Sequence, residues 1–153
     1  RTEPLAYAGR DQVNPQASRD AAAALWKAAG ITSPIDEIDV AEVYVPFSWY
    51  EPMWLESLGF AAEGDGWKLT EAGETAIGGR IPFNPSGGVL SSNPIGGASG
   101  MIRFAESAIQ VMGKAGGAHQ VEGARKALGH AYGGGAQYYS MWVVSSDKPA
   151  AKP

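Results

Sequence analysis

The segment that decides the fold is Asn84-Pro-Ser-Gly-Gly-Val-Leu-Ser-Ser-Asn-Pro-Ile-Gly-Gly-Ala-Ser-Gly100, a glycine-rich stretch followed by an apolar run. Gly96, Gly97 and Gly100 let the backbone turn sharply and approach a ligand closely. Ser99 predicts the N-cap of a helix, whose free N–H groups favour an anion or a developing oxyanion. The alternative interpretation is a loop that only turns the chain, because short glycine motifs often occur by chance.

The composition predicts one globular domain, or one half of a larger one. The 153 residues are 44% hydrophobic and 18% charged, which suits an ordinary core. The net charge of −4, without a basic stripe, argues against a nucleic-acid or anionic-membrane surface. The sequence contains no signal peptide and no apolar run long enough to span a membrane, so we expect a cytoplasmic protein without membrane association.

The lack of cysteine narrows the chemistry. It excludes a disulfide, a thiolate ligand and a cysteine nucleophile within this chain. The two histidines, His119 and His130, are too few for a zinc site, so we expect no bound metal or cofactor. The chain begins at Arg1 rather than methionine, which favours the C-terminal part of a longer protein; cleavage of the chain is the alternative.

Periodicity and punctuation predict the elements of the first half. Ser18 can cap a helix over 19–29, which Gly30 would end. Residues 38–45 are rich in β-branched side chains and predict a buried strand. Ser48-Trp-Tyr-Glu51 has the spacing of a capping box and predicts a second helix. The order helix, strand, helix is typical of an α/β layer structure.

The second half is predicted to contain a long loop, a helix and two strands. Residues 61–100 carry many turn signals and predict a functional loop region. Strands are predicted over about 120–130 and over 137–144, which closes a domain over 1–144 before a disordered tail over 145–153. Apolar residues at helical spacing predict a helix with a core-facing stripe: Met101, Ala105, Ala108 and Met112.

Several spaced motifs together resemble the C-terminal half of the thiolase superfamily, in its lipid-transfer-protein type. Residues 84–100 match a loop that usually reads Gly-His-Pro and then Gly-x-(Ser/Thr)-Gly. Residues 41–51, Ala-Glu-Val-Tyr-Val-Pro-Phe-Ser-Trp-Tyr-Glu, line up with Glu-Val-His-Asp-Cys-Phe-Ser-x-x-Glu. Residues 120–125 and the triplet at 133–135 match the last strands. The resemblance implies an α/β fold with α-β-α-β-α layers in the full protein, which pairs this half with an N-terminal half.

Three departures from the family pattern bear on activity. The resemblance implies a histidine or asparagine at Tyr44, a catalytic histidine at Asn93, and an acid/base cysteine near Ala131. Claisen condensation or thiolysis needs an activated nucleophile and a base, and this half supplies neither in the usual form. A tyrosine can instead donate a hydrogen bond or exchange a proton. We therefore predict Tyr44 and Tyr132 as catalytic residues.

The remaining candidates divide into ligand-binding and structural residues. Glu42 is predicted to have a structural role or to support the residues that contact the substrate, and His130 to lie on an ordinary strand. Trp49, Tyr50 and Trp54 are predicted to pack on a helix face or to form a pocket wall. By resemblance, the following residues are predicted to bind substrate: Asn93, Gly96, Gly97, Ser99, Gly133 and Gly134.

The substitution pattern resembles the thiolase-like retro-aldolase of bacterial steroid side-chain degradation. That resemblance implies cleavage of a β-hydroxyacyl-CoA into a ring ketone and propionyl-CoA, with a coenzyme A thioester as substrate. It also implies a homodimer bound to an OB-fold protein with a zinc ribbon. Two alternatives stay open: a cysteine-dependent acyltransferase that uses the N-terminal half, and a non-catalytic acyl-CoA or sterol-binding subunit. A nucleophilic cysteine outside this sequence would favour the first alternative, and inertness with retained ligand binding would favour the second.

Overall fold

A three-stranded mixed sheet organises the protein. The computed structural model describes residues 10–91 and 96–147. Strand β1 (Val40–Glu42) pairs in parallel with β2 (Lys126–Gly133), and β2 pairs antiparallel with β3 (Tyr138–Ser145). The helices are α1 (Gln16–Ala29), α2 (Pro34–Glu37), α3 (Tyr50–Ser57), α4 (Gly66–Glu71), α5 (Gly88–Ser91) and α6 (Ser99–Val111), with a 3-10 turn at Gly117–His119. The predicted α/β fold class is confirmed.

The sheet separates two helical layers. Helix α6 packs across all three strands on one face, while α1 and α3 cover the other. Successive side chains of β2 alternate between these faces, as a pleated strand requires. Leu128 and His130 join the α1/α3 side, whereas Gly129 lies under Trp142 and Ala131 faces Gly100 of α6. The two faces of one strand therefore contact different layers.

The main apolar core lies on the α1/α3 face. Trp54 and Leu55 of α3 and Leu58, which follows this helix, are fully buried. They pack with Leu128 of β2 and with Val43, which follows β1. Complete burial of one such side chain contributes roughly 1.5–3 kcal/mol of transfer free energy. This face therefore holds α3 in place, and α3 lies directly behind the end of β1.

Strand β1 is shorter than the predicted strand over 38–45. The peptide N–H of Asp39 bonds to the carbonyl of Lys126, and ladder pairing continues to Glu42. Beyond Glu42 the peptide N–H groups bond to side chains and no longer to a neighbouring strand. The Val43 N–H donates to Asn84 Oδ1 at 2.7 Å. The prediction was wrong in extent, since β-branched composition does not reveal where a strand loses its partner.

All three predicted N-caps were wrong. Helix α1 begins earlier, at Gln16, so Ser18 is buried within it and its hydroxyl meets that of Ser57 at 3.1 Å. Ser48 makes no side-chain cap of α3, and the Glu51 carboxylate accepts from the Thr70 hydroxyl instead. Ser99 is already inside α6, and its hydroxyl donates to the Gly96 carbonyl at 2.8 Å. The predicted helix end at Gly30 is confirmed, since this glycine adopts the left-handed conformation that ends α1.

The apolar stripe of α6 does not face the core as predicted. Met101, Phe104 and Met112 are 71%, 45% and 56% exposed. The face turned to the sheet is instead polar and buried, and comprises Ser99, Arg103, Ser107 and Gln110. The periodicity gave a correct helix but the wrong inner face, because it shows that a stripe exists and not what covers it.

The remaining predictions concern the region 61–100, the last two strands and the tail. The region over 61–100 is not one long loop, because it contains α4 and α5. The strand expected over 120–130 begins only at Lys126, after the 3-10 turn. The last strand is confirmed and extends to Ser145, while residues 148–153 of the expected tail lie outside the described residues.

Candidate functional site

Just beyond the end of β1, two side chains hold the backbone of Tyr44, one at its N–H and one at its carbonyl. Its N–H lies 3.4 Å from Nδ1 of His130, and its carbonyl accepts from the indole N–H of Trp54 at 2.7 Å. Both partners are completely buried. The backbone of this residue is therefore fixed by two side chains distant in sequence, which sets the position from which its side chain starts.

Tyr44 and Tyr132, the two predicted catalytic residues, lie together. Their rings meet edge to face with centroids 4.9 Å apart. The Tyr132 ring also stacks on Tyr50 at 5.7 Å, and the hydroxyls of Tyr132 and Tyr50 are 3.4 Å apart. Tyr132 lies on the α3 face of the sheet, opposite to the face that carries the Ala131 side chain. It is adjacent in sequence to the cysteine-equivalent position but does not fill the same space.

Burial determines the protonation of Tyr132. Partial burial, reinforced by the neighbouring Tyr50 hydroxyl, raises the pKa of Tyr132 well above its ordinary value. The phenol is therefore protonated throughout the physiological range. In that state it can donate a hydrogen bond to a developing negative charge but is a poor base.

His130 faces the backbone of Tyr44 and lies two residues before Tyr132 on β2. Burial lowers the pKa of His130 to about 3, so the ring is neutral at physiological pH. Because Nδ1 faces the Tyr44 N–H, the ring proton belongs on Nε2, which has no hydrogen-bond partner among the described residues. The ring packs against Trp54 at 4.8 Å. His130 was predicted to lie on an ordinary strand and it lies on β2, but nothing in the sequence showed that it faces Tyr44.

The glycines predicted to bind substrate lie in two segments, one before α6 and one at the end of β2. Gly96 and Gly97 are exposed, and Gly96 has a φ of 140°, which favours glycine. Gly133 ends β2, and Gly134 follows in the hairpin turn with a φ of 62°. Asn93, also predicted to bind substrate, lies outside the described residues.

The beginning of α6 lies very close to β2. A Cβ added to Gly100 would lie only 2.9 Å from the Cβ of Ala131, so the two backbones approach at a distance that two larger side chains would prevent. This contact brings buried Ser99 to the strand that carries Tyr132. The glycine at 100 therefore has a packing role in addition to any role in the loop.

A buried ion pair was missed by sequence reasoning. The Glu42 carboxylate meets Nη1 of Arg103 at 2.6 Å, and both side chains are fully buried. Burial raises the pKa of Glu42, and the guanidinium of Arg103 opposes that rise. A signal was present, since Ser99, Arg103, Ser107 and Gln110 recur at helical spacing, but the apolar stripe on the other face concealed it.

Two clefts border different edges of the sheet. One of about 170 Å³ lies between Val45, Glu51 and the segment 83–90, next to the end of β1. A larger one of about 540 Å³ lies where β1 begins, and none of the predicted site residues that the structure describes lines it. Within residues 10–91 and 96–147, no three His, Asp or Glu side chains converge as a metal site. No helix in that part of the chain has the length and apolarity to cross a membrane.

The helical layers on both faces of the mixed sheet and the glycines that precede α6 are features of a thiolase-like C-terminal half. The family profile described as Thiolase C-terminal domain-like matches residues 3–146. The chain belongs to this family, and thus to the thiolase superfamily.

Named relatives agree with this assignment. Sterol carrier protein 2 of Homo sapiens is 36% identical over 135 residues, covering 88% of this chain and 24% of the relative. Acetyl-CoA acetyltransferase of Methanothermobacter thermautotrophicus is 39% identical over 125 residues, covering 82% of this chain and 32% of that enzyme. The solved structure of the Ltp2-ChsH2(DUF35) aldolase superposes with a TM-score of 0.80 at 27% identity, over 93% of this chain and 35% of its own. The chain thus spans about a quarter to a third of these proteins.

Proposed function

We propose that the complete protein catalyses retro-aldol cleavage of a β-hydroxyacyl-CoA whose hydroxyl carbon belongs to a steroid ring. The observation that carries this proposal is the contact between the rings of Tyr44 and Tyr132, whose centroids are 4.9 Å apart. Tyr44 stands where the family usually has histidine or asparagine, and Tyr132 is adjacent in sequence to Ala131, near which the family has its cysteine. The similarity to a solved aldolase supports the same reaction class. The products would be a ring ketone and propionyl-CoA.

The reaction needs two proton transfers and no covalent intermediate. A base removes the proton of the tertiary hydroxyl, the bond between the α and β carbons breaks, and its electron pair forms the thioester enolate. The β carbon becomes the ketone carbon, and protonation of the enolate at its α carbon gives propionyl-CoA. We assign the enolate hydrogen bond to Tyr132, because its raised pKa keeps the donor proton in place. We assign the exchange of the hydroxyl proton to Tyr44.

An aromatic wall beside the pair suits a ring substrate. Phe47 and Trp49 are 59% and 50% exposed, and the Trp49 ring lies 4.2 Å from that of Tyr50. Tyr50 in turn stacks on Tyr132. An apolar polycycle that lies along this wall would bring a substituent to the tyrosine hydroxyls and would be stabilised by the area it buries.

The exposed stripe of α6 supports a polypeptide partner. Met101, Phe104 and Met112 form an apolar face that monomeric proteins rarely leave open. We propose that the N-terminal half of the same fold covers it, within a homodimer that also binds an OB-fold, zinc-ribbon protein. The similar aldolase, Ltp2-ChsH2(DUF35), is named for two components, which favours a second protein here as well. If the 153-residue chain alone is monomeric and folds cooperatively, this part of the proposal is wrong.

The activity test uses the complete protein with any co-purifying partner. Incubation with a steroid β-hydroxyacyl-CoA should yield ring ketone and propionyl-CoA in equal amounts, measured by mass spectrometry. A second candidate is thiolysis or acyl transfer, which the identity to acetyl-CoA acetyltransferase favours. It predicts consumption of a β-ketoacyl-CoA and free coenzyme A instead. Binding of both thioesters without turnover would favour a non-catalytic acyl-CoA or sterol-binding subunit.

A further inference from the structure

Three polar side chains meet in the dry space between β1 and α6. The Glu42 carboxylate accepts from Nη1 of Arg103 at 2.6 Å, from the Ser86 hydroxyl at 2.8 Å, and from the Ser86 N–H at 3.1 Å. Nη1 of Arg103 also reaches the Ser86 hydroxyl at 3.1 Å. The cluster therefore joins a strand, a helix and a loop at one point.

The three segments joined in this way are β1, which leads to Tyr44, helix α6, and the beginning of the segment 84–100. Glu42 lies two residues before Tyr44 on β1, and Arg103 lies in the second turn of α6, just after the glycine loop. Ser86 lies at the other end of that loop, where Asn84 also bonds to β1 through its amide oxygen and its peptide N–H. Both ends of the segment 84–100 are thus attached to β1 or to Val43, just before Tyr44.

A buried ion pair is an unfavourable way to stabilise a fold if stabilisation is its only role. Burial of two charges carries a desolvation penalty that their attraction often fails to repay, and an apolar pair of similar volume is often as stable. Nε and Nη2 of Arg103 are buried without partners among the described residues, which increases this penalty. One turn further along α6, the neutral Ser107 hydroxyl donates to the Arg103 carbonyl at 2.7 Å and lies 3.4 Å from the Leu128 carbonyl of the sheet. Contact between α6 and the sheet therefore does not require a charge.

We propose that Arg103 and Glu42 are positioning residues, which fix the two ends of the segment 84–100 relative to Tyr44. Directional, charge-assisted bonds specify distance and angle more narrowly than apolar contacts do. The pair acts through the loop and the strand and does not touch substrate. The inference rests on the proposed function only in taking Tyr44 as the reacting centre.

The test compares the complete protein with the double variant E42Q/R103M and with S107A. Glutamine keeps an acceptor for Ser86, and methionine replaces the buried cation with an apolar side chain of similar length. We expect E42Q/R103M to fold but to lose about 10²-fold in kcat with KM changed little, as a misplacement near 1 Å causes. Amide exchange at Ser86 and Gly88 should accelerate, since both N–H groups bond within or next to the cluster. S107A removes a buried hydroxyl from the same helix face and should leave kcat unchanged.

The conservative variant R103K covers the case in which the double variant does not fold. It keeps a cation for Glu42 but loses the planar geometry that also reaches Ser86, so its kcat should fall between those of the parent and E42Q/R103M. Parent-like kcat and parent-like exchange in folded E42Q/R103M, or parent-like kcat in R103K when the double variant does not fold, would overturn the inference. If the parent itself cleaves no β-hydroxyacyl-CoA, the proposed function fails, while amide exchange still decides whether the pair fixes the loop.

Discussion

The two faces of the sheet differ in the polarity of the side chains that are buried against them. On the α1/α3 face, aromatic and aliphatic side chains fill the space, with Trp54 in contact with His130, Tyr132 and Tyr139. On the α6 face, the buried side chains include an arginine, a glutamate, a serine and a glutamine. Apolar burial is non-directional and stabilises the fold, whereas buried hydrogen bonds are directional and specify geometry. The difference indicates that one face supplies stability and the other aligns the loop with the site.

The largest expected effect concerns Tyr44 and Tyr132, whose rings are in contact. Tyr44→Phe removes one hydroxyl and keeps the ring contact, so kcat should fall by about 10²–10⁴ while the fold is retained. Tyr132→Phe should act similarly, and the double variant should cost less than the sum if the pair works together. Single-turnover kinetics of the complete protein measure this. Near-normal turnover in folded Tyr44→Phe would make Tyr44 a packing residue.

A core truncation tests the apolar face. Trp54 is fully buried, so Trp54→Ala should lower the free energy of unfolding by about 3–5 kcal/mol. On the opposite face, Ser107→Ala should cost only about 1 kcal/mol, because it removes a hydrogen bond rather than volume. Urea unfolding of the two variants compares them directly. Equal losses would show that the faces contribute alike to stability.

The next effect is a pH dependence caused by His130. Its pKa of about 3 in the folded protein lies below the unfolded value of about 6.5, so between these values only the unfolded state binds the proton. The contribution of neutral His130 to the free energy of unfolding is complete above about pH 6.5 and is lost as the pH falls towards 3. The loss amounts to about 2 kcal/mol between pH 7 and pH 5. In His130→Asn the amide oxygen can still accept the Tyr44 N–H, but this loss should disappear. Unfolding curves at both pH values measure this change in the free energy of unfolding. An equal change in parent and variant would contradict the assignment.

A smaller effect is expected where the α6 face is tightest. The methyl group of Gly100→Ala would crowd Ala131, which should destabilise the protein by about 1 kcal/mol after the gain in helix propensity. Gly97→Ala is the matched control, because no heavy atom of the described residues would lie within 4 Å of its new Cβ. Its melting temperature should stay near that of the parent. Indistinguishable melting temperatures for both variants would show that the helix can move away from β2.

The smallest effect is expected at Asn93. A neutral amide cannot act as a base near pH 7, so we predict that Asn93 only orients or donates hydrogen bonds. Asn93→His should not create thiolysis, because Ala131 stands where the second acid/base group would be needed. The assay is consumption of a β-ketoacyl-CoA with free coenzyme A. Measurable thiolysis in this single variant would contradict the prediction.

The sequence by itself determined the family, the α/β class and the elements with strong local signals. Gly30 ends α1 because glycine adopts the left-handed conformation without steric cost. The aromatic and β-branched run after Gln137 forms β3, since those side chains suit a pleated surface. Motif order was sufficient to place Tyr44 and Tyr132 near one another, and their rings are in contact.

The tertiary structure alone decided which surfaces meet. The period of α6 was readable, but its polar stripe faces the sheet because Glu42 lies there to pair with Arg103, 61 residues away in sequence. The end of β1 is set by Asn84 and His130, whose side chains take peptide N–H groups that a longer strand would have used. Local patterns record the preferences of each segment. The partner that satisfies a buried group comes from a distant part of the chain, so only the folded structure reveals it.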